Sequence, residues 1–347
     1  MKIEAVMREL RERPRRWLVT GAAGFIGSHL VQALLDLDQE VVGLDNFSTG
    51  FRENLEEVLR EVGERRAARF RFLLGDIRDP QICSEACKGV DVVLHQAALG
   101  SVPRSIEDPV ASHESNVDGF LNVLVAARDA GVRRFVYASS SSVYGDEPTL
   151  PKVEGREGRP LSPYAATKLV NEIYADVFSR CYGMETVGLR YFNVFGPRQH
   201  PQGPYAAVIP RWTLALLVGE PCRIFGDGET CRDFCYVENA VQANLLAATV
   251  EDREALGRVY NVACADTTTL NELFSALREE VARFRPEARR AEPVYEDFRP
   301  GDIRRSLADV SLASRLLGYE VTHRIGDGLP ATVAWFAAAA KARRFAA

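Results

Sequence analysis

The sequence has no strong excess of either charge and no recognisable metal-binding motif. Its formal net charge is −5 over 347 residues, and so moderate an acidic balance does not indicate a nucleic-acid-binding protein. The seven cysteines are scattered, none forms a Cys-x-x-Cys motif, and the five histidines do not complete a zinc-ligand spacing with them. We therefore expect no metal site, and free thiols in a reducing cytosol.

Long apolar runs, internal repeats and low-complexity tracts are also lacking. No segment stays apolar for long enough to predict a membrane span, so we do not expect the membrane as a partner. Residues 1–16 mix acidic and basic side chains without an apolar centre, which is not typical of a signal peptide. Their spacing predicts a short amphipathic helix. Together these features predict a cytoplasmic protein.

The first half of the chain does contain a regular alternation of short apolar runs and longer amphipathic stretches. This pattern is typical of a parallel sheet covered by helices on both faces. Ligands of such sheets bind beyond the carboxyl ends of the strands. The predicted strands lie at 17–20, 40–44, 70–74, 91–95, 133–138 and 185–189, and the predicted helices include 108–130 and 163–182.

A glycine-rich turn follows the first predicted strand. Gly21, Gly24 and Gly27 are spaced three apart and lead into a helical pattern, which is typical of the turn that holds a dinucleotide pyrophosphate. The second strand ends at Asp45, where a carboxylate would bind ribose hydroxyls and repel a 2′-phosphate. The sequence therefore predicts an α/β fold, a Rossmann-type doubly wound parallel sheet, with NAD favoured over NADP as the cofactor.

One predicted helix carries a candidate proton acceptor. Ser162 and Pro163 are typical of a helix N-cap and first helical position, so Tyr164 and Lys168, four residues apart, lie on one helix face. A nearby ammonium lowers the pKa of a phenol, which makes the pair a candidate acid–base catalyst near neutral pH. Upstream, the four serines at 139–142 follow an apolar run and are candidate partners.

These motifs in combination point to a known family. They are Gly21-x-x-Gly24-x-x-Gly27, Gly75-Asp76-Ile77, His95-Gln96-Ala97-Ala98, the serines at 139–142, Tyr164 with Lys168, and LRYFNVFGPR at 189–198. From about Trp17 onward the chain resembles the extended short-chain dehydrogenases/reductases, within them the nucleotide-sugar 4-epimerases, and especially bacterial UDP-N-acetylglucosamine 4-epimerases of polysaccharide biosynthesis. The resemblance implies an NAD-dependent isomerase that oxidises a UDP-sugar at C4 and returns the hydride to the opposite face.

The resemblance also implies roles for individual residues. Tyr164, Lys168 and Ser140 form the expected catalytic set, although the register among the four serines stays open. The expected cofactor-binding residues are Gly21, Gly24, Phe25, Ile26, Gly27, Asp45, Asn46, Ser48, Thr49, Gly50, Asp76, Ile77, Gln96, Ala97, Ala98, Asn116, Tyr164, Lys168, Tyr191 and Val194. The expected substrate-binding residues are Ser101, Ser140, Ser141, Ser142, Asn193, Ala207, Val208, Trp212, Arg232, Arg299, Asp302 and Ser306.

The resemblance further predicts how the chain is organised. Residues 1–16 form an N-terminal extension, and residues 17–196 form the NAD-binding Rossmann domain, which also receives later segments. Residues 197–347 form a smaller mixed α/β lobe, interleaved with the first, that mainly binds the substrate. Because the resembled enzymes pair through two helices of each subunit, we expect a homodimer built on 108–130 and 163–182.

Several functions compete within this resemblance. Related 4,6-dehydratases carry an Asp-Glu pair where this chain has Ser141 and Ser142, so a dehydratase or decarboxylase is disfavoured. A cofactor-sensing protein with a dead site would lack the Tyr164 and Lys168 pair, and because both residues are present this function is disfavoured as well.

In the resembled epimerases the position of Ser306 lines the pocket beside the sugar C2 group. A small residue there implies UDP-N-acetylglucosamine and UDP-N-acetylgalactosamine as substrates, with plain or uronic UDP-hexoses as the alternative.

Overall fold

The computed structural model describes residues 2–201, 206–298 and 304–342. Within them, seven parallel strands form one sheet. These strands are β1 (Arg16–Thr20), β2 (Glu40–Asp45), β3 (Phe70–Leu74), β4 (Val92–His95), β5 (Arg134–Ser140), β6 (Glu185–Tyr191) and β11 (Arg258–Val262). Their order across the sheet is β11-β6-β5-β4-β1-β2-β3. The predicted doubly wound parallel sheet is confirmed.

Helices flank this sheet and continue into the second half of the chain. They are α1 (Ile3–Glu12), α2 (Phe25–Asp36), α3 (Arg52–Val62), α4 (Glu64–Ala67), α5 (Pro80–Cys87), α6 (Val102–Glu107), α7 (Pro109–His113), α8 (Gly119–Asp129), α9 (Pro163–Tyr182), α10 (Val208–Val218), α11 (Val237–Thr249), α12 (Leu270–Val281), α13 (Ser311–Leu317) and α14 (Ile325–Lys341). No helix in the described part of the chain is both long and apolar enough to cross a bilayer.

Alternate side chains of the central strands serve the two faces of the sheet, as the pleat of a strand requires. On β1, Trp17 and Val19 pack into a core with α1, α2 and α11, whereas Leu18 packs into a second core with Phe120 of α8 and Phe135 of β5. The strands are therefore buried on both faces, which explains why they read as continuous apolar runs.

The N-terminal helix α1 docks on the body of the protein through one face. Val6 and Leu10 are fully buried in the first core. Gln39 fixes the helix end, since its Nε2 donates to the Leu10 carbonyl at 2.7 Å and its Oε1 accepts from Trp17 Nε1 at 3.1 Å. The amphipathic helix predicted in residues 1–16 is confirmed.

The second half of the chain adds a third core beyond the carboxyl ends of the strands. Trp212 of α10, Phe274 and Leu277 of α12, and Val333 of α14 are buried there together. Three two-stranded sheets accompany these helices among the described residues. They pair β7 (Val194–Phe195) with β10 (Cys235–Tyr236), β8 (Arg223–Phe225) with β13 (Val294–Glu296), and β9 (Cys231–Arg232) with β12 (Thr268–Thr269).

The helix predicted over 108–130 is present at residues 109–129, with one irregular turn inside it. A π-helical turn at Glu114–Asp118 separates α7 from α8. Such a wider turn rotates one side chain out of register, and turns of this kind often lie at functional sites. Here it buries Asn116, whose Oδ1 accepts from Leu99 N at 2.7 Å and whose Nδ2 donates to Thr167 Oγ1 at 3.1 Å. The turn therefore links α9 to the loop after β4.

Candidate active site

A cavity of about 710 Å³ opens at the carboxyl ends of the sheet strands. Most residues predicted to bind a cofactor or to act in catalysis line this one space, and so do Asn193 and Ala207 of the predicted substrate-binding set. They are Gly21, Gly24, Phe25, Ile26, Gly27, Asp45, Asn46, Ser48, Thr49, Asp76, Ile77, Gln96, Ala97, Ala98, Ser140, Tyr164, Lys168, Tyr191, Asn193, Val194 and Ala207. The crevice expected from strand polarity thus brings together residues that are far apart in sequence.

The glycine turn leaves room for a ligand against its main chain. A Cβ on Gly27 would lie 1.9 Å from the Gly21 carbonyl oxygen, so helix α2 and the turn can approach closely only with glycine there. Gly24 is the N-cap of α2 and offers no side-chain cap to the first N–H groups of the helix. Those uncapped donors and the positive end of the helix face the cavity, which suits the pyrophosphate of a dinucleotide.

Asp45 ends β2 at the wall of the same cavity. Its Oδ2 accepts from Ala23 N at 2.9 Å and its Oδ1 from Phe47 N at 2.7 Å. Burial raises the pKa of this carboxyl, and the hydrogen bond from Phe47 N opposes that rise. A carboxylate at this strand end, held toward the glycine turn, fits the ribose-binding role predicted for it.

Asp76 lies beside Asn46 farther along the same wall. Asn46 Nδ2 donates to its Oδ2 at 2.8 Å, and Arg78 donates through Nε at 3.0 Å and through Nη2 at 2.8 Å. The hydrogen bonds from Arg78 lower the pKa of Asp76 to about 2. This end of the cavity therefore carries a fixed carboxylate, which can accept hydrogen bonds from a bound base or sugar.

Tyr164 and Lys168 begin α9, which Ser162 caps by accepting from Ala165 N at 3.1 Å. Burial raises the pKa of the Tyr164 phenol, and its hydrogen bond with Ser140 acts in the opposite direction. Lys168 Nζ donates to the Ala138 carbonyl at 2.9 Å. In the protein alone, burial therefore raises the tyrosine pKa, and the lowering expected from Lys168 is not found.

The structure separates the roles of the four serines. Ser140 lines the cavity with Tyr164 and lowers the pKa of its phenol, and Ser140 Oγ accepts from Ser142 N at 3.1 Å and from Ser142 Oγ at 2.9 Å. Ser139 points the other way, and its Oγ donates to Glu172 Oε1 at 2.5 Å. The geometry therefore favours Ser140 as the serine that works with the phenol.

Tyr191 is hydrogen-bonded to two polar side chains, Gln96 and Asn244. Of these two, only Gln96 was predicted from the sequence as a site residue. The Tyr191 hydroxyl donates to Gln96 Oε1 at 3.1 Å and accepts from Asn244 Nδ2 at 2.7 Å. Asn244 lies fully buried on α11. No sequence motif pointed to it, because it reaches the site only when α11 packs under the sheet.

A second cavity of about 290 Å³ adjoins the first, since Asn193, Val194 and Ala207 line both. Val208, Trp212 and Arg232, all predicted to bind substrate, line this second space. Trp212 is buried, and its Nε1 has no hydrogen-bond partner in the described part of the chain. An indole N–H and a guanidinium on one cavity wall suit an oxygen-rich ligand.

Some predicted residues do not line either cavity. Asn116 lies one layer behind, where it binds Leu99 and Thr167, so the structure gives it a supporting position instead of the predicted contact. Ser306 donates its backbone N–H to the Cys231 carbonyl at 3.2 Å, next to Arg232. Arg299 and Asp302 lie outside the described residues. The other predicted residues away from the two walls are Gly50, Ser101, Ser141 and Ser142.

Other residues at the cavity carry no sequence motif that would single them out. Phe51 and His200 stack face to face with ring centroids 4.2 Å apart, and both line the larger cavity, as do Arg104 and Ser115.

His95 is buried at the end of β4. Burial and the charge of Lys168 lower its pKa to about 3, so it is neutral. In the described part of the chain no group of three His, Cys, Asp or Glu side chains could hold a metal ion.

Comparison with known proteins shows the family of this chain. A family model described as the NAD dependent epimerase/dehydratase family matches residues 17–263. A UDP-glucose 4-epimerase of Mycolicibacterium smegmatis is 38% identical over 323 residues, which cover 92% of this chain and 98% of that protein.

Two solved structures extend the comparison. A UDP-N-acetylglucosamine 4-epimerase from Methanobrevibacter ruminantium M1, in complex with UDP-N-acetylmuramic acid, is 38% identical with a TM-score of 0.84 and covers 94% of this chain and 99% of that one. A UDP-glucuronic acid 4-epimerase from Bacillus cereus, in complex with UDP-glucuronic acid and NAD, is 32% identical with a TM-score of 0.81 and covers 92% of this chain and 98% of that one.

Proposed function

The chain belongs to the NAD dependent epimerase/dehydratase family, and from that premise we propose that it interconverts UDP-N-acetylglucosamine and UDP-N-acetylgalactosamine by epimerisation at C4. The observation that carries the proposal is the continuity of one cavity. The glycine turn, Asp45, and the group of Tyr164, Ser140 and Lys168 line the same space, which adjoins the pocket of Arg232.

The residues of the chain divide the chemical work between them. NAD, when bound, would supply the acceptor for the hydride of sugar C4 and the donor for its return. Tyr164 takes the proton of the C4 hydroxyl as the hydride leaves, and gives it back as the hydride returns. Ser140 holds the same oxygen by a hydrogen bond and orients it toward the phenol. Lys168 supplies a positive charge that favours the phenolate, which opposes the effect of burial.

The cofactor would bind across the carboxyl ends of the sheet strands. The N–H groups at the start of α2 would hold the pyrophosphate, and Asp45 would accept from a ribose hydroxyl. Lys168 would bind the second ribose, and Tyr191, fixed by Gln96 and Asn244, would lie beside the nicotinamide. These assignments use donors and acceptors that already line the cavity.

The nucleotide part of the substrate would occupy the adjoining cavity. Arg232 would bind the diphosphate, together with the predicted Arg299, and Asn193 would bind a phosphate oxygen. After oxidation the 4-keto sugar must turn over while the diphosphate stays fixed. A guanidinium on the diphosphate, separate from the catalytic group, permits that rotation because it anchors the part of the substrate that does not react.

Tolerance of the N-acetyl group rests on Ser306. The backbone of Ser306 is hydrogen-bonded to Cys231, adjacent to Arg232, so Ser306 lies near the residue that is proposed to bind the diphosphate. A serine leaves volume for an acetamide where a tyrosine would fill it, and its hydroxyl can bond the acetamide. Epimerisation of plain or uronic UDP-hexoses is the alternative within the same mechanism.

The proposal extends to the organisation of the protein. Residues 17–196 would mainly bind NAD, and 197–347 would mainly bind the UDP-sugar, in a cytoplasmic homodimer. Support for the dimer comes from apolar side chains that the predicted helices expose, Val110 at 65% and Ile173 at 55%. Light scattering of the purified protein tests it, since a particle of one chain's mass would contradict the dimer.

Incubation with single UDP-sugars tests the proposed reaction. UDP-N-acetylglucosamine, UDP-glucose and UDP-glucuronate are each added to the enzyme, and the C4 epimers are separated by chromatography. We expect the N-acetylated pair to interconvert fastest. A product lighter by one water or by carbon dioxide, which mass spectrometry would detect, would identify a dehydratase or a decarboxylase instead.

A further inference from the structure

A buried carboxylate stands directly behind the catalytic lysine. Glu172 lies one turn after Lys168 on α9, and residues four apart on a helix share a face. Both side chains are buried, Lys168 at 2% and Glu172 at 9% exposure. Tyr164, Lys168 and Glu172 therefore form one row along the helix, although no motif in the sequence singled out the third member.

Glu172 is held on both carboxylate oxygens. Its Oε1 accepts from Ser139 Oγ at 2.5 Å and from Arg190 Nε at 2.8 Å, and its Oε2 accepts from Arg190 Nη2 at 2.7 Å. Arg190 on β6 is itself only 2% exposed and also binds Glu157 at 2.5 Å. A bidentate guanidinium–carboxylate pair of this kind fixes its partners in a single geometry.

The side chains of this row on α9 are hydrogen-bonded to two consecutive residues at the end of β5. Lys168 Nζ binds the carbonyl of Ala138, and Glu172 binds the hydroxyl of Ser139. The next residue is Ser140, which lines the cavity together with Tyr164 and lowers the pKa of its phenol. Any shift of β5 against α9 would move Ser140 relative to Tyr164, so the two contacts set the distance between the reacting groups.

We propose that Glu172 is a positioning residue of the active site, which keeps Lys168 in its ammonium form and holds the Ser140 strand end against the base helix. This inference deepens the proposed function and rests on it for its catalytic meaning. Its physical content concerns only the charge of Lys168 and the register of β5. The central test therefore needs neither cofactor nor substrate.

The charges around Lys168 support this assignment. Burial lowers the pKa of Lys168 to about 8, and the charge of Glu172 is the effect that raises it. His95 on β4 also faces Lys168 and is neutral, because its pKa is about 3. Tyr137 on β5 faces Glu172, and burial raises the pKa of its phenol, so it too is neutral. Arg190 also touches Glu172, but its charge has the wrong sign to keep a lysine protonated.

The test measures the free energy of unfolding against pH, by urea denaturation between pH 6.5 and 10. An unfolded lysine titrates near pH ~10.4, above the folded value. At Lys168 the unfolded chain therefore binds more protons between the two values, so the contribution of Lys168 to stability rises with pH across that window. Because buried cysteines with raised pKa values act in the opposite direction there, this contribution is measured as the difference from the matching Lys168→Met variant. We expect Glu172→Gln to lower the folded pKa of Lys168, so that the rise begins at a pH lower by about one unit or more.

Three control variants isolate this effect. Asp176→Asn removes the next carboxylate along α9, which is exposed and pairs with Arg180, and should leave the onset where wild type has it. Glu172→Asp keeps the charge, so the pH at which the rise begins should lie close to that of wild type. In a Lys168→Met background, adding Glu172→Gln should no longer change the onset, because the titrating group is gone.

Should Glu172→Gln fail to fold, the double variant Glu172→Gln/Arg190→Met removes both buried charges together, which proteins often tolerate. Its onset should still lie below that of wild type. An onset that depends on Lys168 yet stays unchanged in either variant would overturn the proposal and leave Glu172 a purely structural residue. Once turnover is established, the alkaline limb of the kcat profile should move to lower pH in Glu172→Gln by the same amount.

Discussion

The Oγ atom of Ser140 accepts two hydrogen bonds from Ser142, one from its main-chain N–H at 3.1 Å and one from its hydroxyl at 2.9 Å. A serine oxygen has two lone pairs, so both are in use. The hydroxyl hydrogen of Ser140 is then its one group left to donate, to Tyr164 in the protein alone, whose pKa Ser140 lowers, and to the sugar C4 oxygen when substrate is bound. A hydrogen bond donated by Ser140 to Tyr164 favours the phenolate over the phenol, because it stabilises the negatively charged oxygen.

Ser142 should therefore act on the reaction through Ser140. We expect Ser140→Ala to lower kcat by about 10²-fold or more, within the range for a lost acid–base or oxygen-orienting group. Ser142→Ala should lower it by a smaller factor, and Ser140→Ala/Ser142→Ala should be no slower than Ser140→Ala alone. A double variant in which the two losses multiply would show that Ser142 touches the substrate independently.

Tyr164→Phe should retain NAD and lose nearly all epimerase activity. The change removes the phenol and keeps the ring, so a loss of about 10²- to 10⁴-fold in kcat is expected for a missing proton acceptor. Tyr182→Phe on the same helix is the matched control, since Tyr182 lies at the exposed end of α9. Both rates are measured with UDP-N-acetylglucosamine, and near-normal turnover in Tyr164→Phe would remove Tyr164 from the mechanism.

Asp45 should select NAD over NADP. Protein purified without added cofactor, then denatured in acid, should release NAD(H), which enzymatic cycling can quantify. Asp45→Asn keeps the shape and removes the charge that repels a 2′-phosphate, so the ratio of NADP to NAD affinity should rise. Because the carboxylate also accepts from Ala23 and Phe47, some loss of stability should accompany it. Release of NADP(H) from wild type would contradict the assignment.

Ser306 should set the size limit at the sugar C2 group. Wild type should have a higher kcat/KM for the N-acetylated pair than for UDP-glucose and UDP-galactose. Ser306→Tyr should depress only the former, because a steric clash discriminates more strongly than a missing contact. Ser306→Ala is the control, which tests the hydroxyl without filling the space. Equal loss on both substrate pairs in Ser306→Tyr, or a wild-type preference for plain hexoses, would show the gatekeeper argument to be wrong.

Much of the fold could be predicted from the sequence, because both faces of the sheet are buried. The six predicted strands are present, with ends that differ by at most two residues, and α9 has the predicted bounds. The seventh strand, Arg258–Val262, was not among them. It pairs with β6 only after the chain has crossed the second lobe, and a five-residue run with an Arg and an Asn carries little signal of its own.

The cofactor side of the candidate site was more predictable than its supporting layer. Gly21 and Asp45 follow strands and belong to local motifs, so their position follows from strand polarity. Glu172, Arg190 and Asn244 support the site through tertiary contacts between α9, β6 and α11. Nothing local distinguishes a carboxylate that will be buried beside a lysine from one on a solvated helix face. The π-helical turn at Glu114–Asp118 was missed for a similar reason, because its sequence continues a helical pattern.

The fate of the hydrogen at sugar C4 tests the central claim most directly. The enzyme is incubated with UDP-N-acetylglucosamine that carries deuterium at C4, in ordinary water, and the product is analysed by mass spectrometry and proton NMR. Removal of the hydrogen as a hydride, and its return by the same cofactor, predicts UDP-N-acetylgalactosamine with the deuterium still at C4 and a rate lowered by the isotope. Product that has exchanged its deuterium for solvent hydrogen would contradict the account.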